Sequence, residues 1–170
     1  DLYARIYKPM MMHNIHLEGL DCFRCPYGKT RETCDVECFA SAEEVFAAHG
    51  RETVAVVVEP VLQGAAGMRI YPPLYLKKLR ELCDRYGVLM IDDEIAAGFG
   101  RTGKFFAIEH AGVSPDILCT SKGLTAGYMP MSIAITTEAI YQAFYDDYEK
   151  HKAFVHSHTY AGNPLGCVIA

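Results

Sequence analysis

Residues 91–105 read IDDEIAAGFGRTGKF. Together with Val88, Leu89 and Met90 they place two aspartates and a glutamate at the end of an apolar run, followed by a glycine-rich turn with one arginine. An unpaired carboxylate is costly where a strand is buried. Acids at such an end therefore either cap a turn or serve a site. The apolar run is short and bounded by Gly87 and Gly98, which predicts a buried strand over 88–94 rather than a helix. Working outward, TVAVVVEP (53–60) is β-branched throughout and predicts a second strand, covered on both faces. Between them PPLYLKKLRELCDRYG (72–87) carries Leu76, Leu79, Leu82, Cys83 and Tyr86 on one stripe, with its cations off it, and predicts a helix. DILCTSK (116–122) and SIAITT (132–137) predict a third and a fourth strand. Strand, helix, strand, loop, strand is the order of an α/β chain with a mostly parallel sheet.

Two more helices are predicted upstream and downstream. SAEEVFAAHG (41–50) has Ser41 and Glu44 in capping-box spacing and ends in glycine, and EAIYQAFYDDYEKH (138–151) has a helical pattern. GNPLGCVIA at the end reads as a helix start, with Gly162 or Asn163 as cap and Pro164 at its first position. That ending, and a first residue other than Met, read as an internal piece of a longer protein. Residues 1–40 are expected to be an irregular segment with a four-cysteine loop, and 41–170 part of one α/β domain.

The 170 residues are 51% hydrophobic and 22% charged, an ordinary globular composition. A formal net charge of -5 argues against nucleic acid or an anionic membrane as the main partner. No apolar run approaches the roughly 20 residues that span a bilayer. Seven cysteines, several of them scattered through element-like segments, suit a reducing cytoplasm better than a disulfide framework.

Ligands of parallel α/β sheets bind beyond the carboxyl ends of the strands. Glu59, Asp93 and Lys122 fall at three such ends. A lysine there is either a solvated strand end or a Schiff-base nucleophile. Asp93 is either a turn cap, a salt-bridge partner of Arg101, or the partner of a protonated pyridine nitrogen, which turns a pyridine ring into an electron sink.

DEIAAGFGRTG followed by SKGLTAG, with VVVEPVLQGAAGM before and HSHTYAGNPLG after, resembles the class III, or ω-type, aminotransferases, which depend on pyridoxal 5'-phosphate. The resemblance covers essentially all of the chain beyond residue 50. It implies part of the large domain of a fold-type I transferase, a mostly parallel sheet with helices on both faces. Lys122 would hold the cofactor and move the substrate proton. Asp93 would pair with the pyridine nitrogen, and Ile95 would pack on the ring. Glu59 would join the hydrogen-bond network near the cofactor. Thr159, flanked by Ser157 and His158, would bind the cofactor phosphate of a neighbouring subunit, which implies a homodimer. Arg101 would be structural.

Within the family, Ala65 and Ala66 stand where relatives acting on ornithine or γ-aminobutyrate commonly carry a glutamate. FFAIEHAGVSPDILC, GLTAGYMPMSIAITTEAIYQAFYDDYE and HSHTYAGNPLGC look more like the biotin-synthesis branch, as do DLYARIYKP and CFRCPYGKTRETCDVEC. That branch converts 8-amino-7-oxononanoate to 7,8-diaminononanoate with S-adenosylmethionine or lysine as amino donor. Another ω-amino acid or diamine aminotransferase is the alternative. Asp92 departs from the pattern, where alanine or valine is usual, and so does Ser157, where glycine is usual. The family's upstream phosphate-binding segment and downstream substrate-gripping arginine are not in these residues, so the 170-residue chain alone is expected to be inactive.

Cys22, Cys25, Cys34 and Cys38 suggest a different class of reading. Four thiolates can hold zinc tetrahedrally, which would make the loop a zinc-binding module. The expectation here is a loop of partly buried cysteines without metal.

Overall fold

In the computed structural model, which describes residues 4–170, the strand at Leu89–Asp93 is sandwiched in register between two parallel neighbours. In chain order the strands are β1 (Ala55–Val58), β2 (Leu62–Gln63), β3 (Arg69–Ile70), β4 (Leu89–Asp93), β5 (Ile117–Thr120) and β6 (Ile133–Thr136). The main sheet runs β1-β4-β5-β6, parallel except for β6, which pairs antiparallel with β5. β2 and β3 form a small antiparallel pair. The helices are α1 (Ala4–Tyr7), α2 (Ala40–His49), α3 (Pro73–Tyr86), α4 (Glu138–Phe144) and α5 (Pro164–Ile169).

α3 follows from its sequence. Pro73 sits in the first turn, where its missing N–H leaves nothing unpaired. Gly87 ends the helix at φ 69°, a left-handed conformation that glycine adopts without strain. The expected stripe is inward: Leu76, Leu79 and Cys83 are fully buried, Leu82 nearly so and Tyr86 half-buried. They pack with Phe46 of α2, Val58 of β1 and Met90 of β4. Each large aliphatic side chain buried there stabilises the fold by about 1.5–3 kcal/mol. Leu20, Val36 and Phe39, from the segment expected to be irregular, join the same core. That segment also contains α1.

Three expectations need correction. Ser41 does not cap α2. A 3-10 turn over Glu37–Phe39 runs into the helix, so Ser41 already lies inside it, and its hydroxyl accepts from the Glu18 N–H at 3.3 Å. β1 is not covered on both faces by the described residues: Val58 packs into the core with α2 and α3, while Val57 on the opposite face is 64% exposed. The helix expected over 138–151 stops at Phe144. Asp146 accepts from the Asp147 N–H and pairs with Lys150 and Lys152, and this local bonding competes with helical bonds. The terminal helix is capped as expected, with Asn163 Oδ1 accepting from Leu165 and Gly166. Among the described residues no helix is long and apolar enough to cross a membrane.

A partly buried clamp fixes β4. Asp116 Oδ2 accepts from Arg80 Nη1 at 2.6 Å and from the Met90 N–H at 2.7 Å, tying α3 to the sheet. Burial alone would raise the Asp116 pKa, but the Met90 N–H and the Arg80 guanidinium outweigh it and hold the carboxyl below its usual value. A depressed carboxylate stabilises the fold above its unfolded pKa and loses that contribution as pH falls through the folded one. Asp116→Ala should therefore lower the unfolding free energy by about 2–3 kcal/mol at neutral pH, since it leaves Arg80 and the Met90 N–H unpaired. Denaturant titration checks this, and the gap from wild type should shrink below about pH 4.

Candidate active site

The parallel register carries three side chains to one edge. Glu59 follows β1 directly, Asp93 closes β4 and Lys122 lies just past β5, so they sit at the carboxyl ends of adjacent strands. They are close enough to feel one another. Burial pushes the Glu59 pKa up, its bond from the Gly64 N–H lowers it, Asp93 raises it and Lys122 lowers it. Glu59 Oε1 accepts from Gly64 at 3.3 Å, and its backbone carbonyl accepts from the buried Tyr71 hydroxyl at 2.5 Å. Asp93 Oδ1 accepts from the Ile95 N–H at 3.1 Å, so the aspartate does cap its own turn, and Ile95 is held half-buried beside it. Among the described residues Asp93 makes no ion pair with Arg101, which is exposed.

Lys122 is exposed, at φ 29°, a positive value that costs a non-glycine residue of order 1–3 kcal/mol. The loop around it is tied from both sides: Ser121 Oγ donates to the Met131 carbonyl at 2.7 Å and Thr125 Oγ1 to that of Met129 at 2.5 Å. Ser121, Lys122, Thr125, Gly127 and Met131 help line an open cavity of about 270 Å³. Neither Glu59 nor Asp93 lines it. Phe99, itself at φ 57°, packs on the other side. A Cβ added at Gly123 would lie 2.8 Å from Phe99 Cβ and 2.9 Å from its Cδ2. Sequence reasoning missed this contact. The glycine immediately after the lysine was the signal that a close approach was needed.

Ser157, His158 and Thr159 lie on an exposed stretch without helix or strand. His158 Nδ1 accepts from the Tyr160 N–H at 3.2 Å. No described bond or contact brings the three to the Glu59–Asp93–Lys122 group. His110 is exposed, its Nε2 lying 3.0 Å from the Thr102 carbonyl in the glycine-arginine turn.

Cys22, Cys25, Cys34 and Cys38 all line one small cavity, and all seven cysteines are free. Burial, then neighbouring thiols, raises the pKa of Cys22, and that of Cys38 to about 11. Among the described residues no group of three or more His, Cys, Asp or Glu is placed to hold a metal ion.

The α/β sheet thus carries a lysine and two carboxylates at the ends of adjacent strands. The description Aminotransferase class-III matches residues 3–170, and the chain belongs to that family. It is similar to the adenosylmethionine-8-amino-7-oxononanoate aminotransferases of Geobacter sulfurreducens, 45% identical over 100% of this chain and 38% of the relative, and of Nitratidesulfovibrio vulgaris, 46% identical over 99% and 31%. The solved enzyme of that name from Methanocaldococcus jannaschii superimposes with a TM-score of 0.85 at 35% identity, over 99% of this chain and 36% of that one. An amine transaminase from an uncultivated Pseudomonas species, solved with pyridoxal phosphate bound, gives 0.79 at 36% identity, over 90% and 35%. The chain thus spans less than two fifths of these relatives.

Two outcomes test this geometry. Gly123→Ala should lower the melting temperature by several degrees, since the new methyl strikes Phe99 and the backbone on either side is already strained. Elemental analysis of reduced protein should find no stoichiometric zinc. About one zinc per chain, lost in Cys25→Ser, would instead make the cysteine loop a metal site.

Proposed function

We propose that the protein carrying this chain is a pyridoxal phosphate-dependent aminotransferase that converts 8-amino-7-oxononanoate to 7,8-diaminononanoate in biotin synthesis. The observation that carries the proposal is the meeting of Glu59, Asp93 and Lys122 at the ends of three adjacent strands. Family membership and the names of the most similar relatives support it.

The donor set fits the cofactor. Lys122 offers an accessible amine beside an open cavity, and Asp93 offers a carboxylate on the next strand. Pyridoxal phosphate, when bound, supplies an electron sink for the pair left behind as a proton leaves the amine-bearing carbon. Lys122 Nζ would hold the cofactor's aldehyde carbon and, once displaced by substrate, accept and return that proton. Asp93 would keep the pyridine nitrogen protonated, with Oδ1 already oriented by the Ile95 N–H. Ile95 would lie against the ring. Glu59, anchored through Gly64 and Tyr71, would hold the hydrogen-bond network beside it. Ser157, His158 and Thr159 would serve the phosphate of the second subunit of a cytoplasmic homodimer, which is consistent with their exposure in a single chain. S-adenosylmethionine or lysine would be the amino donor.

The test uses the full-length protein. Incubation with pyridoxal phosphate, borohydride reduction and digestion should place the pyridoxyl mass on Lys122. Lys122→Ala should lose that label and, with 8-amino-7-oxononanoate and either donor, roughly three orders of magnitude or more of turnover. Label spread over surface lysines would overturn the assignment of Lys122. Turnover of ω-amines with pyruvate but not of the oxononanoate would move the protein to another branch of the family.

A further inference from the structure

The described residues leave four buried side-chain polar atoms without a hydrogen-bond partner: both oxygens of Asp92, Oε2 of Glu94 and Oγ1 of Thr120. All four lie at one place. Asp92 and Glu94 alternate with Asp93 along β4 and its extension, and both are fully buried. The Glu94 N–H continues the ladder to the Cys119 carbonyl at 2.9 Å, which sets Glu94 beside Thr120 of β5. Asp92 is flanked in register by Val58 and Leu118. The two buried carboxyls are near enough to shift each other's titration. The titratable groups facing them are Asp93 on their own strand, Tyr71, Cys119 of β5 and Glu109 after the turn. None of these is a cation.

Two ionised carboxylates cannot share an apolar site without a counter-charge. We propose that Asp92 and Glu94 share one proton as a buried acid pair, and that the pair positions Lys122. Asp92 donates to Glu94 Oε2, while Glu94 Oε1 accepts from the Ile108 N–H at 2.8 Å and pins the far end of the glycine-arginine turn. That turn carries Phe99, which packs on Gly123 beside Lys122. The route is thus one hydrogen bond, one pinned loop and one ring against one glycine. The positioning half rests on the function proposed above, whereas the shared proton does not.

Burial first, then Glu94 and Asp93, raises the Asp92 pKa to about 8, and burial raises that of Glu94. A carboxyl whose folded pKa exceeds its unfolded value stabilises the fold fully below the unfolded value and loses this as pH rises through the folded one. Burial pushes Tyr71 and Cys119 upward, out of the window between pH 6 and 8.

Full-length wild type, Asp92→Asn and Asp92→Val decide the matter. Asparagine can donate the same bond to Glu94 but cannot titrate. Valine leaves Glu94 alone. Infrared spectra of wild type at pH 7 should show a protonated carboxylic acid band that Asp92→Asn lacks. The wild-type melting temperature should fall from pH 6 to pH 9 more steeply than that of Asp92→Asn. No acid band, or equal slopes, would overturn the shared proton. Capture of pyridoxal phosphate at Lys122, timed by borohydride quench, should slow about tenfold in Asp92→Val and return to near the wild-type rate in Asp92→Asn. Equal rates in all three would overturn the positioning role. Absence of label at Lys122 in every protein, with the acid band present, would remove the proposed function and with it the positioning role, and leave the shared proton standing.

Discussion

Everything at this site depends on the register of β4 between its two parallel neighbours. Side chains alternate along a strand, so a slip of one residue would exchange Asp92 and Asp93. The acid now at the strand-end edge would be buried, and the buried one would come to that edge. The register is set locally. Leu89 donates to the Val54 carbonyl before the strand and Glu94 to that of Cys119 after it, while Asp116 grips the Met90 N–H from the adjacent chain segment. Arg80 couples this grip to α3, whose apolar stripe covers the Met90 face. Packing on one face thereby fixes which acid appears on the other.

The elements of the sheet were legible in the sequence because their signals are local. A continuous apolar run, a 3.6-residue stripe and a proline–glycine pair bracketing α3 each need only a short window. The convergence of Glu59, Asp93 and Lys122 was legible for a related reason: in parallel sheets, strand ends with polar residues share an edge. The failures are tertiary. Ser41 and Glu44 have capping-box spacing, yet the turn ahead of them already fixed the helix start at Ala40. Tyr141, Phe144 and Tyr145 continue a helical pattern that the Asp146 turn stops. The tie between Phe99 and Gly123 joins residues far apart in sequence, so Gly123 signals a close approach without naming its partner.

The same edge concentrates strain. Lys122 and Phe99 both take positive φ, and the Ser121 and Thr125 hydroxyls that tie the lysine loop bond to carbonyls of residues 131 and 129. A non-glycine residue in such a sparsely populated conformation persists only where its surroundings hold it, and the two hydroxyl ties do so here. Stability is given up where position matters, and the well-packed interface between α3 and β4 supplies the support.

The consecutive acids at 92–94 pose an electrostatic difficulty that the alternation resolves. Two unit charges about 4 Å apart repel by roughly 4 kcal/mol at an effective dielectric near 20. Three consecutive carboxylates ionised together would repel one another along the strand. A proton retained between Asp92 and Glu94 removes one of those neighbouring charges and places the rest on the opposite face. Asp93, on the other face, accepts from the Ile95 N–H. A valine or alanine at position 92 would also remove that charge, but would leave Glu94 Oε2 without a donor. The aspartate found here adds a dependence on pH that those residues would not have.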